Sequence, residues 1–240
     1  MKTIKAIFRI VVFTVLCTAA HGQGFIQPLD QDEISLLGNK PCIVKLKSGE
    51  ELNGQFKSAV LLSGYLDKIT IVTPSGEKTK FQPEDIVSLK VKAGSLAKLT
   101  MLAESASSIQ EITKTDFNEI IDREYITFET ALKAKKKDKA RLMQLLNPGF
   151  DKKIKVYADP EAKETAGIAL GGIQLTGGED KSYLLVKDGS KAVKAKKKSY
   201  DKNFEELYAG CPKMIAGLKS GKIKWADVAG HVFLYNQVCE

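Results

Sequence analysis

The sequence is poor in the residues that most often carry catalysis. It has two histidines, one tryptophan and four cysteines among 240 residues. Ser-His-Asp catalysis, Cys-His catalysis and histidine-ligated metal sites all need a histidine at the reacting or bound group. Only His21 and His231 are available. His231 lies in "GHVFLY", among helix-forming apolar residues, so we predict a packed histidine satisfied by a neighbour rather than a base.

The sequence also lacks an apolar run long enough to cross a membrane, which takes about 20 residues. Its first 22 residues instead have the three parts of a secretory signal peptide. Lys2, Lys5 and Arg9 form a positive start, Ile10–Leu16 carries no charge, and small residues follow. We predict cleavage before Gln23 and a soluble mature chain in the periplasm or outside the cell. A membrane anchor is the alternative.

Cysteine usage is consistent with an oxidising compartment. Cys17 follows Leu16, where a lipidation signal needs a small residue, so we assign it to the leader. The mature chain keeps Cys42, Cys211 and Cys239. An odd count suggests one disulfide and one buried thiol.

Helical periodicity predicts which cysteines pair. Cys211 and Cys239 each close an apolar stripe at helical spacing, and packing the two stripes would bring the sulfurs together. The stripes are Phe204, Leu207, Tyr208 and Cys211, and Val228, Val232, Tyr235 and Cys239. We predict a Cys211–Cys239 disulfide with Cys42 as a free, buried thiol. Two unpaired thiols in a helix seam are the alternative.

After a lead-in at 23–41, residues 42–92 predict five short strands. "VKLKSGEELNGQF" contains a Ser-Gly turn at Gly49 and a bend at Gly54, where a strongly curved strand needs a residue without a side chain. "KITIVTPSGEKTKF" is typical of a hairpin turned by Pro74-Ser75-Gly76. Short strands with glycine at the bends favour a small closed or partly open barrel.

The order of these strands, with the Gly49 turn and the Gly54 bend, resembles an Sm-like barrel or another SH3-like barrel. Sm-type RNA binding uses an Asp/Asn pair before the third strand and an Arg-Gly pair near the fifth. Here these regions are "SGYLDKI" and "PEDIVSLKV", so Asp67 has no asparagine partner and the Arg-Gly pair is absent. The resemblance therefore implies the barrel, and its departures predict no specific RNA binding.

The second half predicts an α+β arrangement. Apolar residues at helical spacing predict a helical connector over 93–123, and residues 124–240 predict an antiparallel β-meander of five or six strands closed by C-terminal helices. Residues 126–146 suit either strand or helix. "LMQLLNPGFDKKIKVYADPEAKET" and "CPKMI…HVFLYNQVC" resemble a group of uncharacterised exported bacterial proteins, which implies no activity.

Carboxylates and lysines are the remaining candidates for a site. A set of five acids could meet and hold Ca²⁺, although acidic turns are usually solvated. The set is Asp159, Glu161, Glu164, Glu179 and Asp180. Lysines cluster at two predicted hairpins and could form a cationic patch, or could simply protect strand edges. These lysines are Lys133, Lys135, Lys136, Lys137 and Lys139, and Lys194, Lys196, Lys197 and Lys198.

The sequence therefore favours an exported, non-enzymatic binding or adaptor protein without a cofactor, with an envelope or extracellular protein or glycan as partner. A polyanion-binding protein is the first alternative, using the lysine-rich tips on polysaccharide, lipid headgroups or nucleic acid. Removing the leader lowers the net charge only from +8 to +5, which is modest support for it. A carboxylate-based hydrolase is the second alternative.

Overall fold

The structure is a computed structural model, and it describes residues 24–93, 124–132, 140–162, 169–170, 173–174, 182–187, 189–218 and 223–239. The predicted signal peptide, nearly all of the predicted connector and the lysine-rich segment 133–139 lie outside these residues. Within them, no helix is long and apolar enough to span a membrane.

A closed antiparallel β-barrel forms the first half of the fold, as the sequence predicts, but its strand count differs. Six strands close in the order β2-β1-β5-β6-β7-β3, with β3 returning to β2, and β4 pairs with β3 outside the ring. The strands are β1 (Lys40–Leu46), β2 (Glu51–Leu62), β3 (Tyr65–Val72), β4 (Lys78–Phe81), β5 (Ile86–Lys92), β6 (Tyr125–Leu132) and β7 (Ala140–Gln144).

Two of the six ring strands, β6 and β7, come from the region that the sequence assigned to the meander. Strand β6 pairs with β5 so that Phe128 lies opposite Leu89 and Ile126 opposite Val91. All four side chains are buried. Strands β1 to β5 alone would leave this row of apolar residues exposed, which is why the barrel includes β6 and β7. The described residues of 126–146 lie in β6, in β7 or directly after β7, and none of them is helical.

Two glycines make the closure of β2 onto β3 possible. A Cβ at Gly54 would lie 2.5 Å from the carbonyl oxygen of Val72, so the bent strand can approach β3 only without a side chain. This confirms the role predicted for Gly54. The β2–β3 turn has positive φ at Ser63 (52°) and Gly64 (79°), and a Cβ at Gly64 would clash with Pro160. The turn thus packs directly against the second half of the chain.

The second half does not form the single meander of five or six strands that the sequence predicts. A three-stranded antiparallel sheet has the order β12-β11-β8, and β9 and β10 form a separate hairpin. The strands are β8 (Ile154–Ala158), β9 (Ala169–Leu170), β10 (Ile173–Gln174), β11 (Ser182–Lys187) and β12 (Val193–Lys196). The C-terminal helices are α2 (Tyr200–Leu207), α3 (Pro212–Leu218) and α4 (Val228–Val238).

The two halves share buried apolar clusters to which both contribute. A bridge between Leu145 and Tyr157 joins the end of β7 to β8, and the amide of Leu146 donates to the carbonyl of Val156 at 2.8 Å. The lead-in is also more ordered than expected. It contains a short helix, α1 (Gln31–Ser35), and it buries Phe25 and Ile26 against the core.

Candidate functional site

The predicted lysine patch is only partly described. Lys196 and Lys198 are exposed. They do not lie at a hairpin tip, because β12 continues directly into a 3-10 turn (Lys197–Ser199) and then into α2. Lys135, Lys136, Lys137 and Lys139 lie outside the described residues, as does Lys133. Proximity of the two lysine sets therefore stays a prediction.

Lys194 belongs to an internal ion pair instead of a surface patch. Its ammonium lies 2.5 Å from the Asp159 carboxylate, whose side chain is fully buried. Asp159 also accepts hydrogen bonds from the Ser182 hydroxyl at 2.7 Å and from the Glu161 amide at 3.2 Å. These contacts occupy the carboxylate and hold the turn after β8 against β11 and β12.

The other members of the predicted Ca²⁺ set, Glu164, Glu179 and Asp180, lie outside the described residues. No group of three or more potential metal ligands occurs among the residues that are described. A cavity of about 50 Å³ lies beside Asp159, lined also by Gly64, Gln144 and Pro160. It has room for a few water molecules, and ligand pockets are usually several times larger.

His231 lies inside the C-terminal half. Its Nδ1 is 2.9 Å from the Tyr200 hydroxyl, which is in turn 2.9 Å from the Tyr208 hydroxyl. All three side chains are buried. Burial lowers the pKa of His231 from 6.5 to about 4, so the ring is neutral at pH 7. The prediction of a packed histidine satisfied by a neighbour is confirmed.

The disulfide between Cys211 and Cys239 is present, and Cys42 is a free, buried cysteine. Burial raises the pKa of the Cys42 thiol to about 11, which keeps it protonated and unreactive at pH 7. The bridge joins helix ends rather than helix stripes. Cys211 lies between α2 and α3, and Cys239 immediately follows α4.

The sequence did not single out the outer face of β2, β3 and β4, which we call the β2–β4 face. Val60 and Leu62 on β2 are 56% and 45% exposed. Val60 lies opposite Lys68 on β3, and Ser58 lies opposite Thr70, which lies opposite Lys80 on β4. Residues directly opposite each other in a sheet point to the same side. Apolar and cationic side chains therefore lie on the same exposed surface.

The lysines of the β2–β4 face are exposed and have no acidic partner within ion-pair distance among the described residues; they are Lys68, Lys78 and Lys80. Asp67, next to Lys68, is already paired, because the Arg141 guanidinium donates to its carboxylate at 2.9 Å. The face therefore carries net positive charge together with exposed apolar area. Exposed apolar groups rimmed by polar ones are typical of binding surfaces.

One side of strand β2 is also open beyond Phe56. Strand β1 pairs with β2 only from Glu51 to Phe56, whereas β3 pairs with β2 as far as Leu62. On the side away from β3, Ser58–Leu62 have no strand neighbour within the described ranges. The backbone of these residues also makes no hydrogen bond to other described elements. We call this stretch the β2 edge.

Comparisons with protein-family models, curated proteins and solved structures give no match. The barrel is compatible with a small barrel fold in general. The similarity to Sm-like barrels therefore remains a resemblance.

Proposed function

We propose that this chain is an exported, non-enzymatic binding or adaptor protein that contacts its partner through the β2–β4 face. The observation that carries the proposal is the combination of exposed Val60 and Leu62 with Lys68, Lys78 and Lys80 on one surface. Such a surface provides apolar contact area and electrostatic attraction without a deep cavity.

The chemistry of the interior supports a binding role. The His231 ring is enclosed by tyrosines, and the Asp159 carboxylate is occupied by Ser182 and Lys194. The cavity beside Asp159 has room for a few water molecules only, and His231 is buried, so neither group has a substrate-sized space next to it among the described residues. The Cys211–Cys239 bridge supports export, since disulfides persist in oxidising compartments.

Site-specific photocrosslinking tests the proposal. A photoreactive amino acid at Val60 in the mature chain should give a discrete adduct in the native envelope or medium. The same substitution at Val193, which is 50% exposed on β12, is the matched control and should give none. Equal adduct formation at both positions, or no adduct at Val60, would contradict a specific binding role for the face.

Polyanion binding is the second candidate, and exposed Lys196 and Lys198 favour it. Neutralising several phosphate or sulfate groups would make the affinity fall steeply with salt. A dextran sulfate affinity that falls at least tenfold between 50 and 200 mM salt, and that is lost in Lys196→Ala/Lys198→Ala, would favour this candidate over the first. An affinity that the double substitution does not change would exclude those two lysines as the binding site.

A further inference from the structure

We propose that the β2 edge binds an extended, acidic polypeptide segment as an additional strand of the barrel sheet. The inference rests on the proposed function and names the class of partner. It commits to strand addition, in which backbone hydrogen bonds supply affinity and alternate side chains supply specificity.

The backbone of the β2 edge has hydrogen-bonding groups that a second strand could use. Ser58–Leu62 form a continuous strand whose other side is fully paired with β3. In an antiparallel or parallel pair, such a strand presents N–H and C=O groups at regular spacing along its open side. These groups make no hydrogen bond to other described elements. A second strand can therefore pair with them without breaking a backbone hydrogen bond of the described chain.

Strand β4, the edge strand of the seven-stranded sheet, contrasts with the β2 edge. The exposed positions of β4 are Lys78 and Lys80, and lysines on an edge strand oppose pairing with further strands. The equivalent positions of the β2 edge are Val60 and Leu62, which favour pairing. One edge is protected by charge and the other is not, so β2 is the edge at which a partner strand fits.

The charges around the β2 edge are positive. Lys68 lies opposite Val60, and Lys57 is exposed at the beginning of the edge. Lysine side chains are long enough to reach carboxylates on a strand added next to β2. A second copy of this chain would bring Lys57 and Lys68 close to their own equivalents, which costs free energy. An acidic partner is therefore favoured over self-association.

The apolar side chains distinguish a polypeptide from a polysaccharide or polyphosphate. Val60 and Leu62 have no polar group to contact a sulfated or phosphorylated chain. A ligand bound by lysines alone would also leave the open backbone N–H and C=O groups of the β2 edge unpaired. An extended peptide that alternates acidic and apolar residues complements both. Its apolar side chains cover Val60 and Leu62, and its carboxylates approach Lys57 and Lys68.

Peptide titration of the mature chain provides the test, with amide NMR shifts and dissociation constants as readouts. The probe is a ten-residue peptide of alternating Glu and Val. We expect it to bind and to shift the amides of Ser58–Leu62 most strongly. Three comparison probes define the mode: alternating Lys and Val, the acidic peptide methylated at every backbone amide, and dextran sulfate. The lysine peptide should not bind because its charge is reversed. The methylated peptide should not bind because it has no backbone N–H groups to pair with the β2 edge.

Substitutions locate the site. Val60→Glu should weaken the acidic peptide about tenfold or more, since it replaces an apolar contact with a like charge, and Lys68→Glu should also weaken it. Val193→Glu places the same charge at a comparably exposed valine of β12 and should leave the affinity unchanged. Each of these side chains is exposed, and an unchanged amide spectrum elsewhere will verify the fold of each variant.

The outcomes are distinct. The inference is wrong if the methylated peptide or the lysine peptide binds as well as the acidic peptide, or if dextran sulfate shifts the same amides more strongly. It is also wrong if the acidic peptide does not bind. If an adduct still forms at Val60 by photocrosslinking in that case, the proposed function stands and only the strand addition falls. If the acidic peptide does not bind and no adduct forms at Val60, both proposals are wrong.

Discussion

The two halves of the molecule are stabilised by different means. The barrel interior is largely aliphatic, with buried pairs such as Val44 opposite Leu89 and Val91 opposite Ile126 brought together by the register of three strands. The C-terminal half instead packs aromatic rings around a polar centre. Trp225 stacks on Tyr183 at 5.3 Å between ring centroids and meets Tyr200 edge-on at 5.2 Å.

This difference follows from how each half provides hydrogen-bond partners for its backbone N–H and C=O groups. A closed barrel pairs its strands around the ring and needs few side-chain hydrogen bonds. The C-terminal half has only a three-stranded sheet and short helices, so side chains complete its pairing. Asn147 donates to the carbonyls of Phe150 and Ile154, and Asn236 accepts from the amides of Lys153 and Ile154. A disulfide then joins the helix ends. The C-terminal half should therefore be the more sensitive to chemical conditions.

Removing the disulfide should have the largest effect. In the Cys211→Ser/Cys239→Ser variant we expect a loss of about 3–4 kcal/mol of unfolding free energy, because the unfolded chain regains the freedom of the closed loop. Trp225 is the single tryptophan, so its fluorescence reports this half during urea denaturation. Cys42→Ala is the control and should shift the midpoint less. An unchanged urea midpoint in the double variant would contradict the proposed difference between the halves.

Lowering the pH should destabilise the C-terminal half next. The folded pKa of His231 is about 4 and the unfolded value is 6.5, so the unfolded state binds the extra proton between these values. Stability is then highest above pH 6.5 and falls by about 3 kcal/mol as the pH drops to 4. Urea midpoints of the wild type and of His231→Asn, measured from pH 7.5 to 4, check this. The part of the slope due to His231 should be missing in the variant, and identical slopes would contradict it.

A substitution in the barrel gives the converse test. Gly54→Ala places a methyl group against the Val72 carbonyl and the Ile71 side chain. We expect a loss of about 1–3 kcal/mol, because β2 must move away from β3. Hydrogen exchange should show weaker protection in β2 and β3 and little change in β11. Gly76→Ala is the comparison, since a Cβ there meets no atom within 4 Å although φ is +85°, and it isolates the backbone strain.

The smallest effect is expected at the exposed lysines. Lys196→Ala/Lys198→Ala should change the unfolding free energy by less than about 0.5 kcal/mol, since exposed charges contribute little to stability. Thermal denaturation at low and high salt measures this. A larger loss would mean that these lysines make structural contacts and are not simply exposed.

Local signals predicted much of this fold. The alternation around Gly49 and Gly54 and the Pro74-Ser75-Gly76 turn indicated the first strands, and the helical spacing of cysteines indicated the disulfide. Closure of the barrel by β6 and β7 could not be predicted in the same way. Those strands pair with β5 and β3 across long stretches of chain, and the Ala, Leu and Lys content of 126–146 suits a helix equally well.

The β2–β4 face was missed for a related reason. In "SAVLLSG" the positions on both sides of β2 are apolar, so alternation does not tell which side is buried. The inward side is decided only when β3 pairs with β2. A strand that is apolar on both sides was nevertheless a signal that one side needs a partner.

The position of Phe25 limits when this protein can finish folding. Phe25 packs edge-on against Tyr183 at 5.3 Å and stacks with Phe150, whose ring meets Phe233 on α4. The earliest described part of the chain and its last helix therefore complete the same contacts. A chain emerging in order from a ribosome or a translocation pore can therefore bring Phe25 onto Phe150 and Tyr183 early, but it cannot complete the contacts of Phe150 until α4 has appeared. Completion of this part of the core is consequently a late event, and a holding chaperone would act in the interval before it.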